Sequence, residues 1–97
     1  MSSVRMSFDV GATERHQVVF SFNKFWGYLS ITVDNTNIVR TIRVASLDLV
    51  KRYEFVVGTN EQHHVRIEKH RQQLFAAFRP QSVYAYVDTQ LVAQGVA

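Results

Sequence analysis

One pattern occurs twice in this chain. Residues 8–18 and residues 55–65 both read F-x-V-G-x-x-E-x-H-x-V. In each copy a later run of alternating apolar residues ends in Val-Asp, at 33–34 and at 87–88. A repeat of this length predicts two similar halves, and two copies are too few for a solenoid. The repeat therefore constrains the architecture strongly and the function weakly.

The residues around each copy alternate between apolar and polar, which is typical of half-buried strands. Two four-strand units that face each other would enclose one core. We therefore predict an all-β fold: an antiparallel β-sandwich of about eight strands in a single domain (1–97), built from repeat units at about 4–44 and 49–93. The residues predicted to face its core are Val4, Met6, Phe8, Val10, Val18, Phe20, Phe22, Leu29, Ile31, Val33, Tyr53, Phe55, Val57, Val65, Ile67, Val83, Ala85, Val87, Leu91 and Ala93.

The pattern is weakest between the two units. A fourth strand is predicted from Ile38 to about Val44, although Arg40 falls in phase with the apolar residues. Residues 45–48 are predicted to form a short crossover. Helix is poorly supported, and its best candidate, 71–78, is too short to be stable alone, so an ordered loop is favoured there.

Composition excludes several classes of protein. The chain has no cysteine, which excludes disulfides, thiolate catalysis and zinc fingers. No apolar run has the length of a membrane-spanning helix, and residues 1–6 lack the apolar run of a signal peptide. We therefore expect a cytoplasmic protein with no membrane contact. The net charge of +3 favours an acidic partner only weakly.

The repeated acidic residues are candidates for acid–base chemistry. Glu14 and Glu61 could act together only if the two turns met, and hairpin turns in separate halves need not do so. We interpret each as a turn carboxylate that accepts backbone N–H groups or pairs with the nearby His16 or His63. No phosphate-binding or nucleophile motif is present. The sequence predicts no catalytic residue and no cofactor.

The four histidines do not predict a metal site. His63 and His64 are consecutive in a predicted strand, so their side chains point to opposite faces. His64 and His70 share a face but would lie about 20 Å apart along an extended strand. We therefore predict no metal ligand.

The two copies differ most in the loop of the second, residues 71–81. Its apolar residues, and those of the matching loop in the first copy, either plug the ends of the sandwich or form an exposed patch for a partner. The candidate partner-binding residues are Trp26, Arg71, Leu74, Phe75, Phe78 and Arg79.

A basic and aromatic sheet face is a separate candidate for nucleic-acid binding. Its residues are Arg66, Lys69, Tyr84 and Tyr86. Stacking platforms of this kind bind single strands. A solvated sheet face has the same composition, Glu68 dilutes its charge, and the net charge is small, so nucleic acid is disfavoured.

Several short segments resemble the Fas apoptotic inhibitory molecule family. They are Val57-Gly58, His63-His64-Val65-Arg66-Ile67, Tyr84-Ala85-Tyr86-Val87-Asp88 and Val33-Asp34. The resemblance implies an all-β cytosolic domain without enzymatic activity, acting through protein contacts in death-receptor signalling and in protection against stress and aggregation. Asn35 and Thr89 stand where the family typically has glycine after Val-Asp.

The leading functional interpretation is a non-catalytic protein-interaction domain of unknown partner, with a homodimer formed through a sheet edge or through the 74–78 loop. The alternatives are a carrier of a small ligand held between the sheets or near Trp26, and the weak nucleic-acid binder described above.

Overall fold

The computed structural model describes residues 3–23, 28–38, 42–47, 50–70 and 82–96. They form nine strands: β1 (Ser3–Val10), β2 (His16–Asn23), β3 (Tyr28–Val33), β4 (Thr36–Asn37), β5 (Arg43–Leu47), β6 (Val50–Val57), β7 (His63–His70), β8 (Ser82–Val87) and β9 (Gln90–Val96). Within these ranges there is no helix long and apolar enough to span a membrane.

The strands make two antiparallel sheets that pack together. One sheet has the order β1-β2-β3-β4 and the other the order β5-β6-β7-β8-β9. All neighbours in each sheet are consecutive in sequence, so every pairing joins strands that follow one another. The prediction of an all-β antiparallel sandwich is confirmed, with nine strands in place of about eight.

The junction between the halves differs from the prediction. Among the described residues, the first sheet ends in β4, which has only two residues. Residues 39–41 of the predicted fourth strand lie outside the described residues. Residues 43–47, expected to span the end of that strand and the crossover, instead form β5 and pair with β6 in the second sheet, with Arg43 opposite Glu54. Ile38 is thus bonded to the first sheet, through the carbonyl of Ile31, and Arg43 belongs to the second.

The core lies between the sheets and follows the predicted alternation. Phe20, Ile31 and Ile67 are fully buried at its centre. At about 25 cal/mol per Å² of apolar surface, each such side chain contributes roughly 1.5–3 kcal/mol to folding. The buried apolar residues are Val4, Met6, Phe8, Val10, Val18, Phe20, Phe22, Ile31, Tyr53, Phe55, Val57, Val65, Ile67, Val83 and Ala85.

Matching hairpin turns connect β3 to β4 and β8 to β9. Both central residues of each turn have positive φ: 51° and 68° at Asp34 and Asn35, and 49° and 70° at Asp88 and Thr89. This is the geometry of a type I′ turn, which suits the twist of a two-residue hairpin. A β-branched threonine is strained in this conformation, whereas asparagine tolerates it.

A β-bulge in the β8–β9 pair corrects one core prediction. Ala85 lies opposite Ala93, but Tyr86 lies opposite Leu91, so the register shifts by one residue. The shift turns Leu91 to the outer side of the sheet, where it is 51% exposed, while Ala93 packs against the core as predicted. Leu91 was predicted to be buried, and that prediction is wrong.

Candidate functional site

The two repeated turns, residues 11–15 and 58–62, meet at one end of the sandwich. Each opens with a glycine in a conformation that other residues rarely adopt, with φ of 101° at Gly11 and 104° at Gly58. A Cβ at either position would collide with the backbone carbonyl oxygen three residues later, that of Glu14 or Glu61. Glycine is therefore required for a turn tight enough to present three consecutive N–H groups.

Those N–H groups bind the glutamate of the other turn. In the first turn, the N–H groups of Ala12, Thr13 and Glu14 donate to the Glu61 carboxylate at 2.8, 2.8 and 3.0 Å. The hydroxyl of Thr13 donates to the same carboxylate at 2.6 Å. Successive backbone N–H groups of this kind form a concave anion site, and Glu61 fills it.

The second turn repeats the arrangement in reverse. The N–H groups of Thr59, Asn60 and Glu61 donate to the Glu14 carboxylate at 2.7, 2.7 and 3.1 Å. The contact is reciprocal, as expected of halves related by an approximate twofold. The sequence analysis correctly predicted carboxylates that accept backbone N–H groups, but it placed those donors within the same turn and did not require the turns to meet.

A histidine supports each glutamate. His16 Nε2 lies 2.6 Å from Glu14 Oε2 and its Nδ1 lies 2.5 Å from Asp34 Oδ2. His63 has the same two contacts, at 2.6 Å with Glu61 and 2.5 Å with Asp88. Because both ring nitrogens face carboxylates, the imidazolium form donates at both ends.

The aspartates join the histidines to the strand entries. Asp34 Oδ1 accepts the N–H of Gln17 at 2.9 Å, and Asp88 Oδ1 accepts the N–H of His64 at 3.0 Å. Both aspartate carboxylates thus bind the entry of the neighbouring strand. We call the six residues Glu14, His16, Asp34, Glu61, His63 and Asp88 the glutamate clasp.

The hydrogen bonds shift the pKa values of the clasp. His16 and the N–H groups of the opposite turn lower the pKa of Glu14 to about 2. The Thr13 hydroxyl and then the Glu14 N–H lower the pKa of Glu61 well below its ordinary range. The pKa values of His16 and His63 are raised, first by their aspartates and then by their glutamates. The clasp therefore favours ionised carboxylates and protonated imidazoles.

This chemistry is structural. A general base needs a free lone pair, and both nitrogens of each clasp histidine are occupied by carboxylates. Each glutamate carboxylate is already saturated with donors. Across the part of the chain that the structure describes, no group of three or more potential ligands is arranged to hold a metal ion. The clasp joins the two halves of the fold.

A second constellation covers the outer face of the larger sheet. Cross-strand rows place Arg66, Tyr86 and Leu91 side by side, and next to them Glu68, Tyr84 and Gln94. Glu68 is only 7% exposed, although it points away from the core. Its carboxylate lies 2.8 Å from Arg66 Nε and 3.0 Å from His70 Nε2, and Arg52 is at 3.5 Å. The Nε–H groups of both arginines lack hydrogen-bond alignment, so these two contacts are ion pairs.

Aromatic rings pack against two of the side chains that contact Glu68. The Arg66 guanidinium stacks 4.6 Å from the centroid of the Tyr86 ring, and His70 meets the edge of Tyr84 at 5.1 Å. Sequence reasoning placed Glu68 on a solvated face and missed its burial. The signal was present in the alternation of Arg66, Glu68 and His70 along one strand, but the contribution of Arg52 depends on the register of β6 against β7.

The nucleic-acid candidates are only partly brought together. Arg66, Tyr84 and Tyr86 share the outer face, but Lys69 lies on the opposite side of β7, with its Nζ 3.9 Å from the centroid of the Phe22 ring. Lys69 was grouped with the wrong face, because alternation along a strand separates it from Arg66. The predicted platform therefore loses one of its two cations.

The predicted partner-binding residues lie outside the described residues. They are Trp26, Arg71, Leu74, Phe75, Phe78 and Arg79. The same applies to residues 71–78, for which an ordered loop was favoured over a helix. An apolar surface that sequence reasoning missed is present on β9, where Leu91, Val92 and Val96 are 51%, 45% and 58% exposed.

Two grooves occur on the outer side of the larger sheet. One, of about 480 Å³, is lined by Arg43, Glu54, Phe55, Val56 and His64. The other, of about 390 Å³, is lined by Ser82, Tyr84, Gln94, Gly95 and Val96, next to the exposed aliphatic residues of β9. Both are open, and neither lies between the sheets, where the ligand-carrier alternative would place its cargo.

Comparison of the chain with models of known protein families, with curated proteins and with solved structures finds no match.

Proposed function

We propose that this protein is a non-catalytic protein-interaction domain that binds its partner through the outer side of β7, β8 and β9. We call this surface the β7–β9 face. Its residues are Arg66, Glu68, His70, Ser82, Tyr84, Tyr86, Leu91, Gln94 and Val96. The observation that carries the proposal is the exposure of two aliphatic side chains of this face, Leu91 and Val96 on β9, beside two tyrosines.

The composition of the face is that of a protein interface. Tyrosine and arginine are enriched where proteins meet and supply much of the binding energy. Tyr86 and Arg66 are already stacked, and Arg66 is also paired with Glu68. Side chains held in this way lose little rotamer freedom on binding, which lowers the entropic cost of association.

The electrostatics favour protein over nucleic acid. Nucleic-acid affinity depends on cations that neutralise phosphates. Here the carboxylate of Glu68 lies between Arg52 and Arg66 and offsets part of their charge. Lys69 lies on the other side of the strand, over Phe22. The remaining surface combines tyrosine with aliphatic residues, which suits another polypeptide.

The proposal agrees with the resemblance to the Fas apoptotic inhibitory molecule family, whose members act through protein contacts. The glutamate clasp also supports a non-catalytic function. Its repeated glutamates and histidines are already engaged in hydrogen bonds and ion pairs within the clasp. The β7–β9 face proposed here differs from the loop surface predicted from the sequence, because it includes β9 and not the 71–81 loop.

A displayed library of random peptides, selected against the wild-type chain, tests the proposal. We expect the selected peptides to bind the β7–β9 face, so that Tyr86→Ala weakens them at least about tenfold, as for a typical hot spot. Val56→Ser is the matched control, because Val56 is 60% exposed on the outer side of the same sheet but lies on β6. Binding that is sensitive to Val56→Ser but not to Tyr86→Ala would overturn the proposal.

A further inference from the structure

We propose that the partner of the β7–β9 face is a second copy of this chain, paired antiparallel through β9 about a twofold axis. The inference rests on the proposed function and names its partner. Two features of β9 support it: an uncharged strand edge, and outward side chains that complement themselves when two copies pair antiparallel.

The four edge strands that the structure describes are protected very differently. β4 has two residues, β1 carries Arg5 and Asp9, and β5 begins with Arg43. Short length and charged side chains are the usual devices that prevent edge-to-edge association. β9 has seven residues and contains neither a charged residue nor a proline. It is the edge on which another strand meets the least resistance.

Among the strands that the structure describes, β9 is paired on one side only. Within the sheet it pairs only with β8, so alternate N–H and C=O groups point outward from the edge. The bulge interrupts regular geometry near Leu91, but from Ala93 to Val96 the ladder with β8 is regular. The neighbouring sheet packs on the inner side of this stretch, where a Cβ at Gly95 would come within 2.5 Å of Val4 Cγ2. The outer side is the one that carries exposed aliphatic residues.

The side chains of β9 complement themselves under twofold symmetry. Leu91 and Val96, both on the outer side, lie at opposite ends of the strand. Antiparallel pairing brings the Leu91 end of one copy to the Val96 end of the other, so apolar residues meet apolar residues. Gln94 lies between them, and its amide both donates and accepts, so it can bond to its own counterpart.

Charge does not oppose the pairing. The whole chain carries +3, and two such chains repel each other at long range. On the β7–β9 face, however, Arg66 is paired with Glu68, and β9 itself is neutral. The two copies would therefore meet at a surface where like charges are not forced together. The product would be one continuous ten-stranded sheet with Tyr84 and Tyr86 of each copy flanking the junction.

Sedimentation and light scattering test the dimer. We expect the wild type to be dimeric and to dissociate on dilution, because an interface built from two short strands is modest in area. Leu91→Lys and Val96→Lys should each give a monomer with an unchanged circular dichroism spectrum. Val56→Lys adds the same charge to an equally exposed valine on β6 and should leave the dimer intact. A wild type that is monomeric up to about 0.5 mM, beyond the range of useful weak pairs, would overturn the inference.

The absence of cysteine from the chain allows a direct test of geometry. In antiparallel strands, opposed residues lie within disulfide reach. We therefore expect Gln94→Cys, which this pairing places opposite its own counterpart, to oxidise to a covalent dimer while Val56→Cys does not. Equal cross-linking at the two positions would contradict pairing through β9. If the selected peptides bind the β7–β9 face and the chain is monomeric, the dimer inference is wrong and the proposed function stands. If a β9 dimer forms but the selected peptides bind around Val56, the proposed function is wrong, because the β7–β9 face is then not the site that binds other proteins.

Discussion

The two halves of this molecule are nearly identical where they meet and different where they face solvent. At the glutamate clasp, His16 and His63 have the same pair of distances, 2.6 and 2.5 Å, to their carboxylates. The opening glycines differ by only 3° in φ, at 101° and 104°. Each turn binds the glutamate of the other, so a change in one turn alters the partner of the other as well. Reciprocity explains why this end of the fold is symmetric.

At the opposite margins the symmetry fails. The first half ends its sheet with the two residues of β4, whereas the matching strand of the second half, β9, has seven. The second half also acquires β5, which has no counterpart among the described strands of the first. The residues shared by the two copies therefore join the halves, whereas the uncharged strand with exposed aliphatic residues is the one in which the halves differ.

The largest effect on stability is expected from substitutions that disrupt the glutamate clasp in either turn. Gly11→Ala and Gly58→Ala each place a Cβ against a backbone carbonyl in a positive-φ conformation. Strain and overpacking together should lower the free energy of unfolding by about 2–5 kcal/mol, equally in the two halves. Urea unfolding measures the losses. Gly95→Ala, whose φ is not positive and whose new Cβ would meet only side-chain atoms, should lose less. A loss confined to one half would show that the turns are not equivalent.

The pH dependence of the free energy of unfolding should come from the glutamate clasp, and its two histidines should contribute similar amounts. Raised histidine pKa values stabilise the fold below the ordinary value of 6.5, and this contribution is lost as pH rises through the folded pKa. Lowered carboxylate pKa values stabilise it above the ordinary glutamate value of 4.5, and this contribution is lost as pH falls towards the folded value of about 2 in Glu14. Stability should therefore be greatest between pH 4.5 and 6.5.

Single substitutions measure how much each clasp histidine contributes to the pH dependence of stability. His16→Gln and His63→Gln should each flatten the alkaline decline by a similar amount, and the double variant should remove most of it, as followed by urea unfolding from acid to alkaline pH. His64→Gln, next in sequence but outside the clasp, is the control. An unchanged alkaline decline in the double variant would refute the assignment.

The smallest effect concerns the unlike central residues of the two hairpin turns, Asn35 and Thr89. Thr89, at φ 70°, is strained, whereas Asn35, at φ 68°, tolerates the same conformation. Thr89→Gly should therefore raise the free energy of unfolding by about 0.5–1 kcal/mol, after the entropy of glycine is subtracted. Asn35→Gly should change it little. Thermal unfolding measures both, and a greater gain at Asn35 would reverse the proposed difference.

Alternation alone located most of the core, because a buried sheet face demands apolar residues at every second position. It failed at Leu91, since one extra residue in a bulge turns a side chain to the other face without leaving a mark in the pattern. It also failed at Arg43 and Val44, because the choice of sheet for residues 43–47 depends on which partner strand is near. Both errors concern pairing, which short-range patterns do not encode.

The sequence by itself determined the all-β class, the twofold repeat, the glycine-opened turns and the structural character of Glu14 and Glu61, because each follows from local backbone preference and strand alternation. Only the tertiary structure decided that the two turns clasp each other, that Glu68 is buried among cations, and that β9 is an uncharged edge with exposed aliphatic residues. The physical reason is that these features depend on residues far apart in the chain, whose contacts are set by how the sheets pack.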